Sequence, residues 1–219
     1  VKFNELLVVC EKLSISRKFI EIWVPESKFV EAQTNGESLS ITRIDSPYFG
    51  FGFGPNPKID QRWTSFALTR STPKALTQEF QLAGQWDAYG IKTKEFDVSY
   101  EVMTDFGIIN SLIEKHAPEL SIRAEDDEVL AWVAIDQSAV GAICKWESGG
   151  HVLSAIVVAE QMRGQGLGKQ VTKALVTEAF KRGIDYVALG VMAKNEAAIA
   201  TYKSVGLEEL GKFNTFKVN

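Results

Sequence analysis

The segment VAEQMRGQGLGKQV, residues 158 to 171, sets three alternating glycines, Gly164, Gly166 and Gly168, directly behind Arg163. Glycine lets a backbone come close to a ligand, and consecutive N–H groups at a helix N-terminus converge on an anion such as a pyrophosphate. Several phosphate loops share this look, and position counting separates them. A mononucleotide loop G-x-x-x-x-G-K-[ST] counted back from Gly168-Lys169 would need glycine where Arg163 stands and a hydroxyl where Gln170 stands. A dinucleotide fingerprint G-x-G-x-x-G fails from both starts: Lys169 is sixth from Gly164, and Val171 is sixth from Gly166. The spacing that remains is R-x-x-G-x-G over Arg163, Gly166 and Gly168, with Val158 five residues before the arginine. A surface loop with a helix cap would satisfy the same residues. A second segment, NEAAIATYKSVGL (195 to 207), places Asn195, Ala198, Tyr202, Gly206 and Leu207 at helical spacing one strand further on. Taken singly, Asn195 serves as an N-cap, Tyr202 as core and Gly206 as a C-cap.

Together the two segments resemble the GNAT N-acetyltransferases, whose acetyl-CoA loop reads V-x-x-x-x-R-G-x-G-x-G and whose following helix reads N-x-x-A-x-x-x-Y-x-x-x-G-[FL]. The resemblance covers about residues 96 to 219 and implies an α/β (mixed α+β) fold. In it the cofactor lies where two parallel strands, here 152 to 158 and 186 to 191, splay apart. It further implies that the backbone of Ile156, Val157 and Val158 bonds the pantetheine arm. The amides of Arg163, Gly164, Gln165, Gly166, Leu167, Gly168 and Lys169 are then expected to hold the pyrophosphate, and Asn195 and Ala198 to flank the pantetheine. The reaction implied is direct attack of a neutral primary amine on the thioester, with the Tyr202 hydroxyl stabilising or protonating the leaving thiolate. Ordinary pKa values near 10 for tyrosine and 8.5 for a thiol make full transfer uphill by about 2 kcal/mol, so a strong hydrogen bond is expected at least as much as transfer.

The base that relieves the amine of its proton is less legible. Some relatives carry a glutamate midway along the strand before the loop, but HVLSAIVV holds no acid. His151 and Glu147, near the strand's entrance, are the candidates, each equally readable as a surface residue. An α-amine of pKa near 8 is neutral about a tenth of the time at pH 7, and lysine well under a thousandth. The missing acid therefore tilts the acceptor toward a small-molecule amine or a peptide or protein α-amine. The alternatives are a different acyl-CoA or acceptor on the same fold, and a non-catalytic acyl-CoA-sensing module. Retention of Tyr202 argues against the latter.

The elements that position these residues follow from periodicity. Residues 129 to 135, 140 to 146 and 152 to 158 read as a meander of strands joined by DQSA and ESGGH, preceded by a strand in EFDVSYEVM and an amphipathic helix, Asp105 to His116, closed by Pro118. Leu167, Val171, Leu175 and Ala179 make the stripe of the loop helix, which Gly183 stops. A strand at 186 to 191, a helix at Asn195 to Ser204 and a final hairpin complete residues 96 to 219. The parallel β-helix-β unit among antiparallel strands makes the sheet mixed.

Residues 1 to 95 are expected to form a separate α/β region, a degenerate second half or a substrate-covering domain; they hold no R-x-x-G-x-G loop. There, Phe3, Leu6, Leu7, Cys10 and Leu13 mark a helix, and FIEIWV, SLSITRI and WTSFALTR read as strands. Pro73 to Trp86 reads as a helix with proline in its first turn. Between the strands, SPYFGFGFGPNP is too rich in glycine and proline for a long regular element. Its aromatics Phe49, Phe51 and Phe53, with Trp63, are read as packing the core rather than facing a cleft.

The 219 residues suffice for one or two cores, and a net charge of −4 advertises no nucleic-acid surface. No apolar run is long enough to cross a bilayer, and Leu6 to Val9 is too short for a signal core, so a cytoplasmic protein away from membranes is expected, as monomer or homodimer. The chain opens on Val1, which suggests trimming or a piece of a longer chain. Cys10 and Cys144 are isolated and read as buried thiols. His116 and His151 form no metal-like cluster, so no metal is expected.

Overall fold

The computed structural model describes residues 1–146 and 149–218. Its chain divides into two compact units, one of Val1–Ala88, Gly190–Asn195 and the segment from Glu209, the other of Tyr89–Leu189 and Glu196–Glu208.

In the first unit, α1 (Phe3–Lys12) and α2 (Arg17–Trp23) precede β1 (Phe29–Thr34), β2 (Leu39–Ile44), β3 (Tyr48–Phe53) and β4 (Ser65–Thr69). Strand β5 (Gln81–Lys92) begins here, and β11 (Glu208–Lys217) lies between β4 and β5 in the order β1-β2-β3-β4-β11-β5. The β3–β4 pair is parallel, and β1–β2, β2–β3 and β4–β11 are antiparallel.

Four expectations need correction in this unit. FIEIWV lies in helix α2 and its C-cap, not in a strand; apart from Glu21 the run is apolar throughout. The Ser16 hydroxyl accepts from Phe19 N–H as an N-cap, Glu21 takes ion pairs from Arg17 and Lys18 one turn back, and Phe19, Ile20, Ile22 and Trp23 are all buried. With nearly every residue apolar and buried, the run carries no information about period. The stretch from Pro73 holds a four-residue 3₁₀ turn, Lys74–Thr77, and then the long strand β5. Trp86 on β5 stacks on Phe213 at 4.8 Å and donates its indole N–H to Thr215 at 3.0 Å, contacts with residues more than 120 positions away that outweigh local helix propensity.

The glycine-rich YFGFGF forms strand β3 because its glycines make room for neighbours. A β-carbon at Gly50 would stand 2.1 Å from the Trp63 ring, and one at Gly52 2.4 Å from Leu68. Phe51, Phe53 and Trp63 are buried in the core, whereas Phe49 is half-buried. Gly50→Ala is expected to destabilise the protein by about 1–3 kcal/mol through overpacking against that indole, read as a lower urea midpoint with unchanged slope. The tail is one ten-residue strand, not a hairpin: the Phe213 ring lies 2.7 Å from where a Gly211 β-carbon would be, so the chain runs straight through the glycine. Phe19 anchors the core, stacked on Trp23 at 4.8 Å and on Phe213 at 4.7 Å and edge-on to Phe51 at 5.3 Å.

The second unit carries the end of β5, then β6 (Glu101–Met103), α3 (Phe106–His116), β7 (Val129–Ile135), β8 (Ala139–Lys145), β9 (His151–Val158), α4 (Leu167–Lys181), β10 (Tyr186–Met192) and α5 (Glu196–Val205). Strand order is β5-β10-β9-β8-β7-β6, antiparallel from β6 to β9, with β9 and β10 parallel. The strand foreseen in EFDVSYEVM shrinks to Glu101–Met103, because the residues before it strap onto α4. Phe96 N–H donates to the Thr177 hydroxyl at 3.0 Å and the Tyr100 hydroxyl to Glu178 at 2.9 Å. Asp105 caps α3 by accepting from Ile108 N–H. Leu167, Val171, Leu175 and Ala179 are buried along α4, and Gly141 on β8 lets that helix approach, since a β-carbon there would stand 2.7 Å from Leu175.

The five helices and mixed sheet among the described residues give the α/β (mixed α+β) class foreseen from the sequence. Cys10 and Cys144 are both free and buried, and burial pushes each thiol up to about 12, which removes them from thiolate chemistry at neutral pH. No helix among the described residues is long and apolar enough to cross a membrane, and no group of three or more metal-ligating side chains occurs among them.

Candidate active site

Strand β9 is interrupted where the site begins. Its register with β8 slips between Val140 and Ala142, so Ala155 and Ile156 together oppose Gly141, and Ala155 takes φ +46°. A non-glycine residue in the left-handed region is strained by roughly 1–2 kcal/mol, a cost that a bulge next to a binding site commonly carries. Sequence reasoning missed Ala155, since alanine gives no sign of a positive φ. On its other side β9 meets β10 through a single register pair, Ala188 opposite Val152. No register pair with β10 follows toward Val158, so the backbone of Ile156, Val157 and Val158 lies beyond the paired section.

Past Val158 a 3₁₀ turn (Glu160–Met162) leads to the glycine loop. Gly164 and Gly166 adopt φ +79° and +80°, values open to glycine at little cost. The amides at the loop's two ends are turned inward: Arg163 N–H donates to Glu160 C=O at 3.2 Å, and Lys169 N–H to Gly166 C=O at 3.1 Å. Among the described residues the N–H groups of Gly164, Gln165, Gly166, Leu167 and Gly168 find no protein acceptor, leaving five successive donors at the positive end of the fifteen-residue helix α4. The Arg163 guanidinium does not stand free beside them. It donates to the carbonyls of Val158 and His116, each at 3.2 Å.

Helix α5 runs beside this loop: a β-carbon at Gly168 would stand 4.0 Å from Thr201. Tyr202 follows, with its ring buried and burial raising its hydroxyl to about 12; among the described residues that hydroxyl has no hydrogen-bond partner. Ala198 is half-buried in the first turn of α5. Asn195 immediately precedes the helix and donates its backbone N–H to Met192 C=O at 2.8 Å. His151 lies at the opposite end of β9 from the loop, across from Lys145, four residues or about 13 Å of strand from Ala155. Desolvation first, then the Lys145 charge, lowers its pKa, so the ring is neutral at pH 7 and able to accept a proton. Glu147, the other candidate base, lies outside the described residues.

A parallel strand pair joined at one register pair, a bulge, a five-donor helix entrance and a buried tyrosine share one chain segment. Residues 85–207 match the family model described as acetyltransferase (GNAT) family. The chain belongs to the GNAT family. Among curated relatives, it is 43% identical over 54 residues to the [ribosomal protein bS18]-alanine N-acetyltransferase of Escherichia coli, covering 25% of this chain and 36% of that protein. It is 31% identical over 65 residues to the thialysine N-epsilon-acetyltransferase of Bos taurus, covering 30% and 38%. These matches thus span little more than a third of either relative's length. The fold is shared with a GNAT-family acetyltransferase from Colwellia psychrerythraea, with a TM-score of 0.54 at 10% identity over 100% of this chain and 96% of that one.

Proposed function

We propose that this protein is an N-acetyltransferase that passes an acetyl group from acetyl-CoA to a primary amine by direct attack. The observation that carries this reading is the run of five unpaired N–H donors, Gly164 to Gly168, at the α4 N-terminus, after the end of β9 that lies beyond its register pair with β10. A pyrophosphate fits that cradle by charge and by geometry, and the open backbone of Ile156 to Val158 is suited to bond a pantetheine amide as an added strand would. Asn195 and Ala198 flank the same arm in this reading, and Lys169, exposed at the loop's end, adds positive charge.

Tyr202 is assigned to the leaving thiolate. With its hydroxyl raised to about 12 and a thiol near 8.5, full proton transfer is uphill by about 5 kcal/mol, well beyond the difference between the unperturbed groups. A hydrogen bond donated to the developing thiolate is therefore the role its burial favours, and a hydroxyl without a protein partner is available to give it. A module that only senses acyl-CoA needs the cradle but has no use for that donor.

The acceptor is proposed to be an α-amine or small-molecule amine, which needs the least help to lose its proton. By their names the two relatives act on an alanine of a ribosomal protein and on thialysine, a protein acceptor and a small-molecule one. His151 is proposed to accept that proton through water. Its pKa lies below the ordinary 6.5, so kcat/KM is expected to fall as pH drops through that lowered value, and His151→Gln is expected to abolish this acid limb. An unaltered limb in the variant would remove His151 from the reaction.

Release of free thiol from acetyl-CoA, measured against a panel of amino acids, short peptides and polyamines, tests the proposal as a whole. Acceptor-dependent release is expected. Micromolar binding of acetyl-CoA with no release on any acceptor would point to a sensor instead.

A further inference from the structure

The glycine loop is open on the side a side chain would take: no atom lies within 4 Å of a β-carbon built at Gly164 or Gly166. Anchoring contacts stand at its two ends. One end is the start of α4, anchored by buried Leu167. The other is tied to the last residue of α3. His116 Nδ1 accepts from Glu160 N–H at 3.3 Å, and the His116 carbonyl accepts from Arg163 Nη2 at 3.2 Å. Arg163 Nε reaches back to the Val158 carbonyl at 3.2 Å, so the guanidinium bridges the end of α3 and the end of β9.

Physical need explains both bonds. The last carbonyls of a helix lack intrahelical donors, and Pro118, two residues on, has no N–H to offer. A guanidinium suits that negative end of the helix. For the ring to accept at Nδ1 it must be neutral with its proton on Nε2.

We propose that His116 is a positioning residue for the phosphate loop: ring and carbonyl together fix residues 160 to 163, and through them aim the N–H groups of Gly164 to Gly168 at one point. The inference rests on reading the loop as an acetyl-CoA cradle. It assigns Arg163 a bracing role toward protein carbonyls in place of a charge directed at phosphate.

His116→Phe keeps the volume and removes the acceptor, whereas His116→Asn places Oδ1 where Nδ1 stood. Two readouts apply: acetyl-CoA binding by calorimetry with kcat at saturation, and amide hydrogen exchange at Glu160 in the free protein. In H116F, the acetyl-CoA Kd is expected to rise about threefold to tenfold, the range for one lost hydrogen bond, with kcat unchanged and faster exchange at Glu160. H116N is expected to restore both. A general loss of stability would lower kcat or leave H116N as impaired as H116F. That result, or unchanged Glu160 exchange in H116F, would overturn the proposal. Failure of the wild-type protein to bind acetyl-CoA would instead sink the cradle reading, and the Glu160 exchange would still report whether His116 holds the loop.

Discussion

Replacement of Tyr202 by Phe is expected to leave acetyl-CoA affinity unchanged and to lower kcat by about 10² to 10⁴, the usual worth of a positioned proton donor. The ring is buried on α5 and its packing survives the substitution, while its hydroxyl has no partner among the described residues, so no protein group is orphaned by the change. Loss therefore falls on the transition state alone, and kcat and kcat/KM should drop together. Raising pH should not rescue the wild-type enzyme by ionising Tyr202, whose pKa of about 12 keeps it a donor across the working range. Turnover in Y202F equal to wild type, under conditions where single-turnover rates show chemistry to be limiting, would remove the residue from the mechanism.

The second large effect belongs to the loop. Gly166→Val places a β-branched residue at φ +80° with space around it, so the fold should survive at a cost of about 1–2 kcal/mol of backbone strain. Relief of that strain rotates the peptide units whose N–H groups form the cradle. The acetyl-CoA Kd should rise at least tenfold, equivalent to about 1.4 kcal/mol. Gly183 provides the control, since it has φ +75° with no atom within 4 Å of a β-carbon, but follows the far end of α4. Gly183→Val should lower the melting temperature about as much as Gly166→Val and leave binding unaltered. Equal binding losses in the two variants would mean that general destabilisation, not the cradle, is being measured.

Much of the part that matches the GNAT family was legible because its signals are local. The β7–β8–β9 meander carries polar turns between apolar runs, α4 carries Leu167, Val171, Leu175 and Ala179 at every fourth residue, all buried, and Gly183 stops it. The two motifs lie on the loop and on α5, and their order along the chain sufficed to name the family. Readings failed where burial is two-sided or partners are remote. Phe19 to Trp23 looked like a strand because both faces of α2 are covered, which erases the period. The β3 glycines looked like turn residues because the indole and leucine that fill their space lie 13 and 16 residues away.

From its order of residues alone the chain determined the glycine loop, the helix that follows it and the tyrosine one strand later, because spacing along a backbone of known geometry decides which groups share a loop or a helix face. Tertiary structure decided the left-handed Ala155 at the bulge, the single register pair between β9 and β10, and the choice of Arg163 for carbonyls of α3 and β9. It also decided the rise in the Tyr202 pKa. Each depends on which distant groups remove water or supply a hydrogen-bond partner, and those identities enter only when the chain has folded.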